Sequence, residues 1–294
     1  VSTQSTGYMW QVVFAVEAFH TQQMLEMLKN TPNMLWTPGF PTRLKGLSSN
    51  QLKSLFMPIP KFEHFEGDKV QFFNPPKQFD WTNVRPDCML VRDQANCGAC
   101  WSFSSVGPFS DARCIKRKDK KRVQYSEEYM VACDKQADGC TGGELGQAMH
   151  FLVKVGVPTN KCISYTSGIN GTTKQCPTKC DDGSKLKLTK AKRYVDVCDG
   201  EQSIKSAVTK APIQTGFTVY TDFLYYEKGI YQHVSGKEEG KHAVTIVGYG
   251  RENNIKYWKV RNSWSEQWGE NGYFRIIRGI NDCDFEKECF LIKV

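Results

Sequence analysis

No run in the chain approaches the roughly 18 uninterrupted apolar residues of a membrane-spanning helix. A second C-x-x-C is missing, as is any H-x3-H, so the zinc-ligand spacings that would complete a metal site are not there. No internal repeat is apparent. Histidine is scarce, with five in 294 residues, and the formal charge of +8 has no concentrated source. The densest basic run, "KRKDKKR" (116–122), carries an aspartate and no aromatic on which a base could stack, so it reads as a solvated face, not a nucleic-acid surface. Cysteine is absent from the first 87 residues, yet all twelve lie between Cys88 and Cys289.

That density of cysteine points to an oxidising compartment, secretory, vacuolar or extracellular. With 40% hydrophobic and 24% charged residues the composition is that of a folded protein. The opening stretch, "VSTQSTGYMWQVVFAVEAF", holds Glu17 inside its apolar part and is compatible with a signal remnant or with a first helix. One sequon, Asn170-Gly171-Thr172, would accept a glycan in a secreted chain.

The cysteine boundary divides the chain. Residues 1–74 form one segment, in which "HTQQMLEMLKN" has helical periodicity and "SSNQLKSLFM" reads as a second helix opened by a serine cap. This segment is either a small helical subdomain or a removable pro-segment lying across a site. "NPPKQFDW" (74–81), with two prolines, reads as the linker after it. Residues 75–190 mix helix signals with cysteine-rich loops: a helix should start near Cys100, and another, "GELGQAMHFLVKVG", should stop at Gly156. Residues 191–294 change to short strands, "IQTGFTVY", "KHAVTIVGYG", "IKYWKVRNSW" and "GYFRIIRG". A helix-rich half followed by a strand-rich half suggests two packed subdomains of an α+β fold, with a site in the crevice between them.

The chemistry centres on "QANCGACWSF" (94–103). A redox pair would need Cys97 and Cys100 at the start of a helix in a strand–helix unit, and no parallel-strand pattern precedes them. The remaining reading makes Cys100 a nucleophile at a helix N-terminus, where unpaired amides and the helix dipole favour a thiolate. Such a cysteine needs an imidazole. His20 and His64 fall in the first segment, His150 suits a surface or packing role in a helix, and His233 a loop. His242 heads an alternating strand that would hold its ring rigidly, although a satisfied structural histidine fits the same pattern. Asn262, twenty residues on in "NSW", could accept the imidazole N–H, and Trp264 could shield that bond. Gln94 could donate to an oxyanion beside the Cys100 amide.

"QANCGACWSFS", "GCTGG" (139–143), "KHAVTIVGYG" and "RNSWSEQWGENGYF", in this order, resemble the papain-like cysteine proteases over nearly all the chain after residue 74. The resemblance implies a papain-like fold, a helical left subdomain and an antiparallel β-barrel-like right subdomain. It makes Cys100 the nucleophile, His242 the acid/base, Asn262 the orienting residue and Gln94 the oxyanion donor, with no cofactor or metal. Gly98, Gly142, Gly143, Ala243 and Trp264 would line the substrate cleft. Among family members the chain is similar to cathepsin B, through "TGFTVYTDFLYYEKGIYQHVSGKEEGKHAV" and the short leading segment "NMLWTPGFPTRLKGLSSNQLKSLF". That similarity implies a proenzyme whose pro-segment inhibits it, and disulfides Cys97–Cys140, Cys88–Cys114, Cys133–Cys176 and Cys162–Cys180. Cys198, Cys283 and Cys289 stay unassigned, and with Cys100 free an odd thiol remains.

Three details depart from the pattern or refine it. Cathepsin B carries an insertion with paired histidines that closes one end of its cleft, whereas "CISYTSGINGTTKQC" (162–176) is short and has none. The expectation shifts from C-terminal dipeptide removal towards endopeptidase action. Gly107 and Pro108 fall inside the helix after Cys100, where a proline removes a hydrogen-bond donor, so a kink or compensating packing is expected. Glu288 in "NDCDFEKE" would sit at the base of the S2 pocket and admit a basic P2 residue; a solvated surface glutamate is the plainer alternative. The expected partners are protein or peptide substrates and cystatin-like inhibitors, with the chain a monomer in a lysosome-like compartment or secreted. A catalytically silent relative, or a disulfide oxidoreductase, would be the competing function.

Overall fold

The computed structural model describes residues 21–57 and 74–294; His20, His64 and the opening stretch lie outside them. In the leading segment α1 (Gln22–Lys29) is capped by Thr21, whose hydroxyl accepts the Met24 amide, and it buries Leu25 and Leu28. β1 (Trp36–Pro38) follows. α2 (Ser49–Lys53) opens on a capping box in which Ser48 and Gln51 bond each other's backbone amides. The segment is therefore a strand as well as two helices.

β2 (Phe79–Asp80) and α3 (Trp81–Val84) come next, so the expected linker ends sooner, at residue 78. Phe79 pairs with Tyr249 and the Trp81 indole donates to the Val208 carbonyl, contacts that prolines at 75 and 76 do not preclude. α4 (Cys100–Ile115) is unbroken through Pro108. Every residue from Cys100 to Ala112 is buried, so packing on all sides compensates for the missing amide. α5 (Glu127–Cys133) is capped by Ser126, and α6 (Leu145–Lys154) ends before Gly156, whose φ of 84° takes the left-handed turn.

The strand-rich half comprises β3 (Arg193–Asp196), α7 (Gly200–Val208), β4 (Ile213–Tyr220), β5 (Tyr226–Tyr231), β6 (Glu238–Glu252), β7 (Ile255–Arg261), β8 (Tyr273–Ile277) and β9 (Cys289–Lys293). Their order is β1-β5-β8-β7-β6-β4-β9-β3, with β2 on β6. The pairing is not wholly antiparallel as expected: β5 runs parallel to β8 through Ile230↔Arg275 and Tyr231↔Ile276. Both strands pack aromatic side chains into one interior cluster, where Phe223, Tyr226, Trp268 and Phe274 lie 5.1–6.2 Å apart by ring centroid. α7 was not legible in the strand-like texture. It turns Ile204, Ala207 and Val208 inward and packs on β6 and β9.

Buried polar connections join the halves, among them those of Asp111 and of Gln214. Asp111 on α4 takes Arg261 of β7 at 2.6 Å and Arg122 at 2.9 Å. Gln214 on β4 donates to Ser105 at 2.6 Å and Ser104 at 3.0 Å on α4. Among the described residues no helix is long and apolar enough to cross a membrane.

Candidate active site

Cys100 is the first residue of α4, whose cap, Ala99, supplies no side-chain bond to the free amides there. Its sulfur lies within hydrogen-bonding range of the Ala243 and Trp101 backbone, so it faces the strand that carries His242. His242 sits on β6 opposite Phe217 of β4. Its Nε2 lies 2.8 Å from Asn262 Oδ1, which also accepts the Ser263 amide at 2.7 Å. With an acceptor there, Nε2 carries the hydrogen, and Nδ1 makes no hydrogen bond among the described residues. Trp264 stacks on the imidazole at 4.8 Å and 29°, keeping water from the Nε2 side.

Gln94 is held from three directions. Its Oε1 accepts Ser263 Oγ at 2.7 Å, and its Nε2 donates to the Cys97 carbonyl at 2.9 Å and to the Leu55 carbonyl at 3.3 Å. Leu55 belongs to the leading segment, so a peptide carbonyl from outside the helical half sits on the Gln94 amide. Phe56 turns edge-on to His242 and Trp264, and Met57 pairs with Lys241 through both backbone bonds. Sequence reasoning placed this segment across a site but did not single out Leu55, Phe56 or Ser263. Ser263 lay inside the "NSW" run and was the one legible signal.

This cover sets the electrostatics. Cys100 and His242 are both fully buried. Burial pushes the Cys100 thiol up to about 12, with backbone bonds to Ala243 and Trp101 opposing it. Burial also pulls His242 down to about 4, against the hydrogen bond that its ring donates to Asn262. Under the segment the pair is therefore neutral, thiol and imidazole.

The residues expected to line the substrate cleft fall around this centre. The Gly98 amide donates to the Cys140 carbonyl at 2.8 Å, and a Cβ on Gly98 would lie 2.5 Å from that oxygen. Gly142 has a φ of 142°, and a Cβ on Gly143 would lie 2.7 Å from the Trp101 ring. Ala243 is buried beside the Cys100 sulfur. Glu288 lies near Gly216, where a Cβ would be 3.7 Å from its Oε2 and 3.9 Å from the His242 carbonyl. Its Oε2 is buried without a hydrogen bond among the described residues, and burial first, then the charges of Glu144 and Asp196, raise its carboxyl to about 8. It is not the solvated glutamate of the plainer reading. His233 is held away from this centre, on Asp222 and stacked on Tyr220, and His150 lies on α6.

The cysteines pair as Cys88–Cys114, Cys97–Cys140, Cys133–Cys176, Cys162–Cys180 and Cys198–Cys289. Cys100 and Cys283 are free. C-G-A-C is thus not a redox pair: Cys97 is spent on Cys140, fixing the loop beneath Gln94, and Cys100 stays a thiol. Spacing alone could not have joined Cys198 to Cys289, which are 91 residues apart and meet only because β9 lies between β4 and β3.

A thiol at a helix start, an imidazole tethered by an asparagine, and an amide donor beside them can carry out acyl transfer through a thioester. The chain belongs to the papain family of cysteine proteases, whose family model matches residues 75–292. Within it the likeness is to cathepsin B. Cathepsin B-like CP3 of Giardia intestinalis is 44% identical over 264 residues, 87% of this chain and 88% of that protein. Cathepsin B-like CP2 of the same organism is 43% identical over 270 residues, 88% and 89% of the two chains. The solved proCathepsin B S9 from Trypanosoma congolense superposes with a TM-score of 0.85 at 27% identity, covering 93% of this chain and 97% of that one. The protein is a cathepsin B-like cysteine protease with its pro-segment in place.

Proposed function

We propose that the protein hydrolyses peptide bonds through Cys100, His242, Asn262 and Gln94, acting mainly as an endopeptidase once the pro-segment has left. The Leu55 carbonyl on Gln94 Nε2 beside the buried Cys100 carries this reading, because it places a peptide oxygen on the donor that a scissile carbonyl would use. With the cleft open, water returns to the Cys100–His242 pair and the imidazolium–thiolate form becomes accessible. The thiolate adds to the carbonyl carbon, and Gln94 Nε2 and the Cys100 amide receive the developing oxyanion. Protonated His242 gives its proton to the leaving amine, and then takes one from the water that cleaves the thioester. Asn262 and Ser263 are positioning residues: one orients the imidazole, the other holds the Gln94 amide.

The pro-segment acts as an inhibitor by filling the cleft and by keeping both groups neutral. Opening exchanges the covered thiol and imidazole for a thiolate and an imidazolium that together hold the same one proton, so the two forms differ in charge separation and not in protons bound. The disulfide count supports an oxidising compartment, endocytic or secretory.

Endopeptidase action is supported by the 162–176 segment, which lies down against the helical half. Thr166, Ser167 and the Ser167 hydroxyl all bond Glu128, and Gly168 accepts the Asn96 amide. Beside that segment lies a cavity of about 740 Å³, lined by Asp93, Tyr165, Ser265 and Glu266 and, while the pro-segment is in place, by Arg43. Longer substrates or a cystatin-like inhibitor would find room there, and Glu288 would favour a basic P2 residue. The test is cleavage of C-terminally amidated peptides by the matured chain and by Cys100→Ala. Internal cuts by the first and none by the second, with unchanged circular dichroism, are expected. Release of C-terminal dipeptides alone, or turnover by the Ala variant, would contradict the proposal.

A further inference from the structure

Among the contacts that the pro-segment makes away from Cys100 and His242, one is an ion pair at the cleft wall. Arg43 lies in the short helical turn before α2, and its guanidinium grips Asp93 in a two-point bond, Nε to Oδ2 at 2.8 Å and Nη2 to Oδ1 at 3.1 Å. Arg43 and Asp93 line the same 740 Å³ cavity, with Val91, Tyr165, Ser265 and Glu266 around them. Asp93 immediately precedes Gln94, and its backbone bridges Trp264, the indole stacked on His242. Gly216 and Glu288 lie at a different edge of the same centre, near the His242 carbonyl. The Arg43 end of the cleft is accordingly the side on which the leaving amine departs.

The charges there do not balance without Arg43. Asp93 otherwise accepts the Ala95 amide at 2.8 Å, a bond to its own loop. Glu266 adds a second, exposed carboxylate to the wall. Arg92 is the remaining cation on that wall, but its Nη2 is turned to Glu127 at 3.2 Å and Asn160 at 3.0 Å. When the pro-segment leaves, a pocket already shaped around a guanidinium keeps a carboxylate aimed into it.

We propose that Asp93 is a specificity-determining residue that selects an arginine or lysine among the first two or three residues on the leaving-group side of the cut, in the place Arg43 holds in the proform. This rests on the peptidase reading and extends it to a side chain the reaction itself does not need. Asp93 is about one-third exposed and the pair would meet water, so the expected preference is modest, roughly three- to ten-fold in kcat/KM over glutamine.

The test uses matured protein and peptides identical except for Arg, Lys, Gln or Glu at each of three leaving-side positions, with active enzyme counted by iodoacetamide titration of Cys100. The unmodified chain should prefer the cationic peptides, and Asp93→Asn, which retains the oxygen that accepts the Ala95 amide, should bring the Arg/Gln ratio to about one. Glu266→Gln should lower that ratio less. Equal rates for Arg and Gln peptides in the unmodified enzyme would overturn the proposal. So would a preference that survives Asp93→Asn, or one that Glu266→Gln abolishes on its own. If no peptide is cut at all, the peptidase reading fails first, and this inference with it.

Discussion

The two halves of the enzyme are held together by different means. The helix-rich half has four disulfides, Cys88–Cys114, Cys97–Cys140, Cys133–Cys176 and Cys162–Cys180, whereas the strand-rich half has one, Cys198–Cys289. Its long connections, such as 155–190, contain little regular structure, and cross-links limit their freedom in the unfolded chain. The strand-rich half instead has a continuous ladder, with β6 alone paired to β2, β4 and β7, and a cluster of aromatic rings packed edge to face inside it. The site takes one partner from each. Cys100 and Gln94 stand on cross-linked loop and helix, and His242 and Asn262 on strand and strand end. Catalytic geometry thus depends on how two differently stabilised bodies meet.

The largest expected effect comes from breaking that meeting point. Asp111→Ala would leave the buried Arg122 and Arg261 without their shared carboxylate, one residue from Asn262. We expect a loss of about 3–5 kcal/mol in urea unfolding, measured on a Cys100→Ala background to prevent self-digestion. A change within 1 kcal/mol (roughly the value of an exposed pair) would mean that the halves are joined elsewhere.

Next come the cross-links themselves. Replacing Cys97 and Cys140 by serine, or Cys198 and Cys289, opens loops with separations of 43 and 91 residues. Chain entropy gives each pair a similar worth, about 4 kcal/mol. Their effects on turnover should differ: the first pair fixes Gly98 and the Cys97 carbonyl that holds Gln94, and the second lies behind β4. Equal losses of kcat in folded protein would erase the distinction.

The smallest effect expected is that of Ser263→Ala. Gln94 would keep its donor but lose the hydroxyl that holds its Oε1, lowering kcat by roughly three- to ten-fold, well short of the ~100-fold expected on losing an oxyanion donor. Steady-state kinetics on the matured chain would show it in kcat with KM little changed.

The sequence carried the local part of this architecture. "IQTGFTVY" is β4 residue for residue, and the helix beginning at Cys100 is where its motif placed it. It was weakest where the outcome depends on residues far apart. α7 has too few apolar positions to stand out, and its helix is stabilised by β6 and β9. Parallel pairing of β5 with β8 has no local signature. Cys198 and Cys289 are joined by the order of strands, and Arg43 meets Asp93 across 50 positions. Glu288 was visible as an acidic residue, but only its burial in the fold, with the charges of Glu144 and Asp196 added, makes its carboxyl unusual.

The central claim is that the pro-segment keeps Cys100 and His242 neutral and that its departure lets them ionise together. The rate of Cys100 alkylation by iodoacetamide, followed from pH 4 to pH 10 in the proform and in the matured chain, tests it most directly. With the thiol pushed up to about 12 and the imidazole down to about 4, the proform should stay unreactive across this range, since both shifts disfavour the charged form. The matured chain should react already near pH 5, where only an imidazolium–thiolate pair supplies a thiolate. Equal rates in the two forms, or a matured profile that rises only near the ordinary thiol value of about 8.5, would contradict the account.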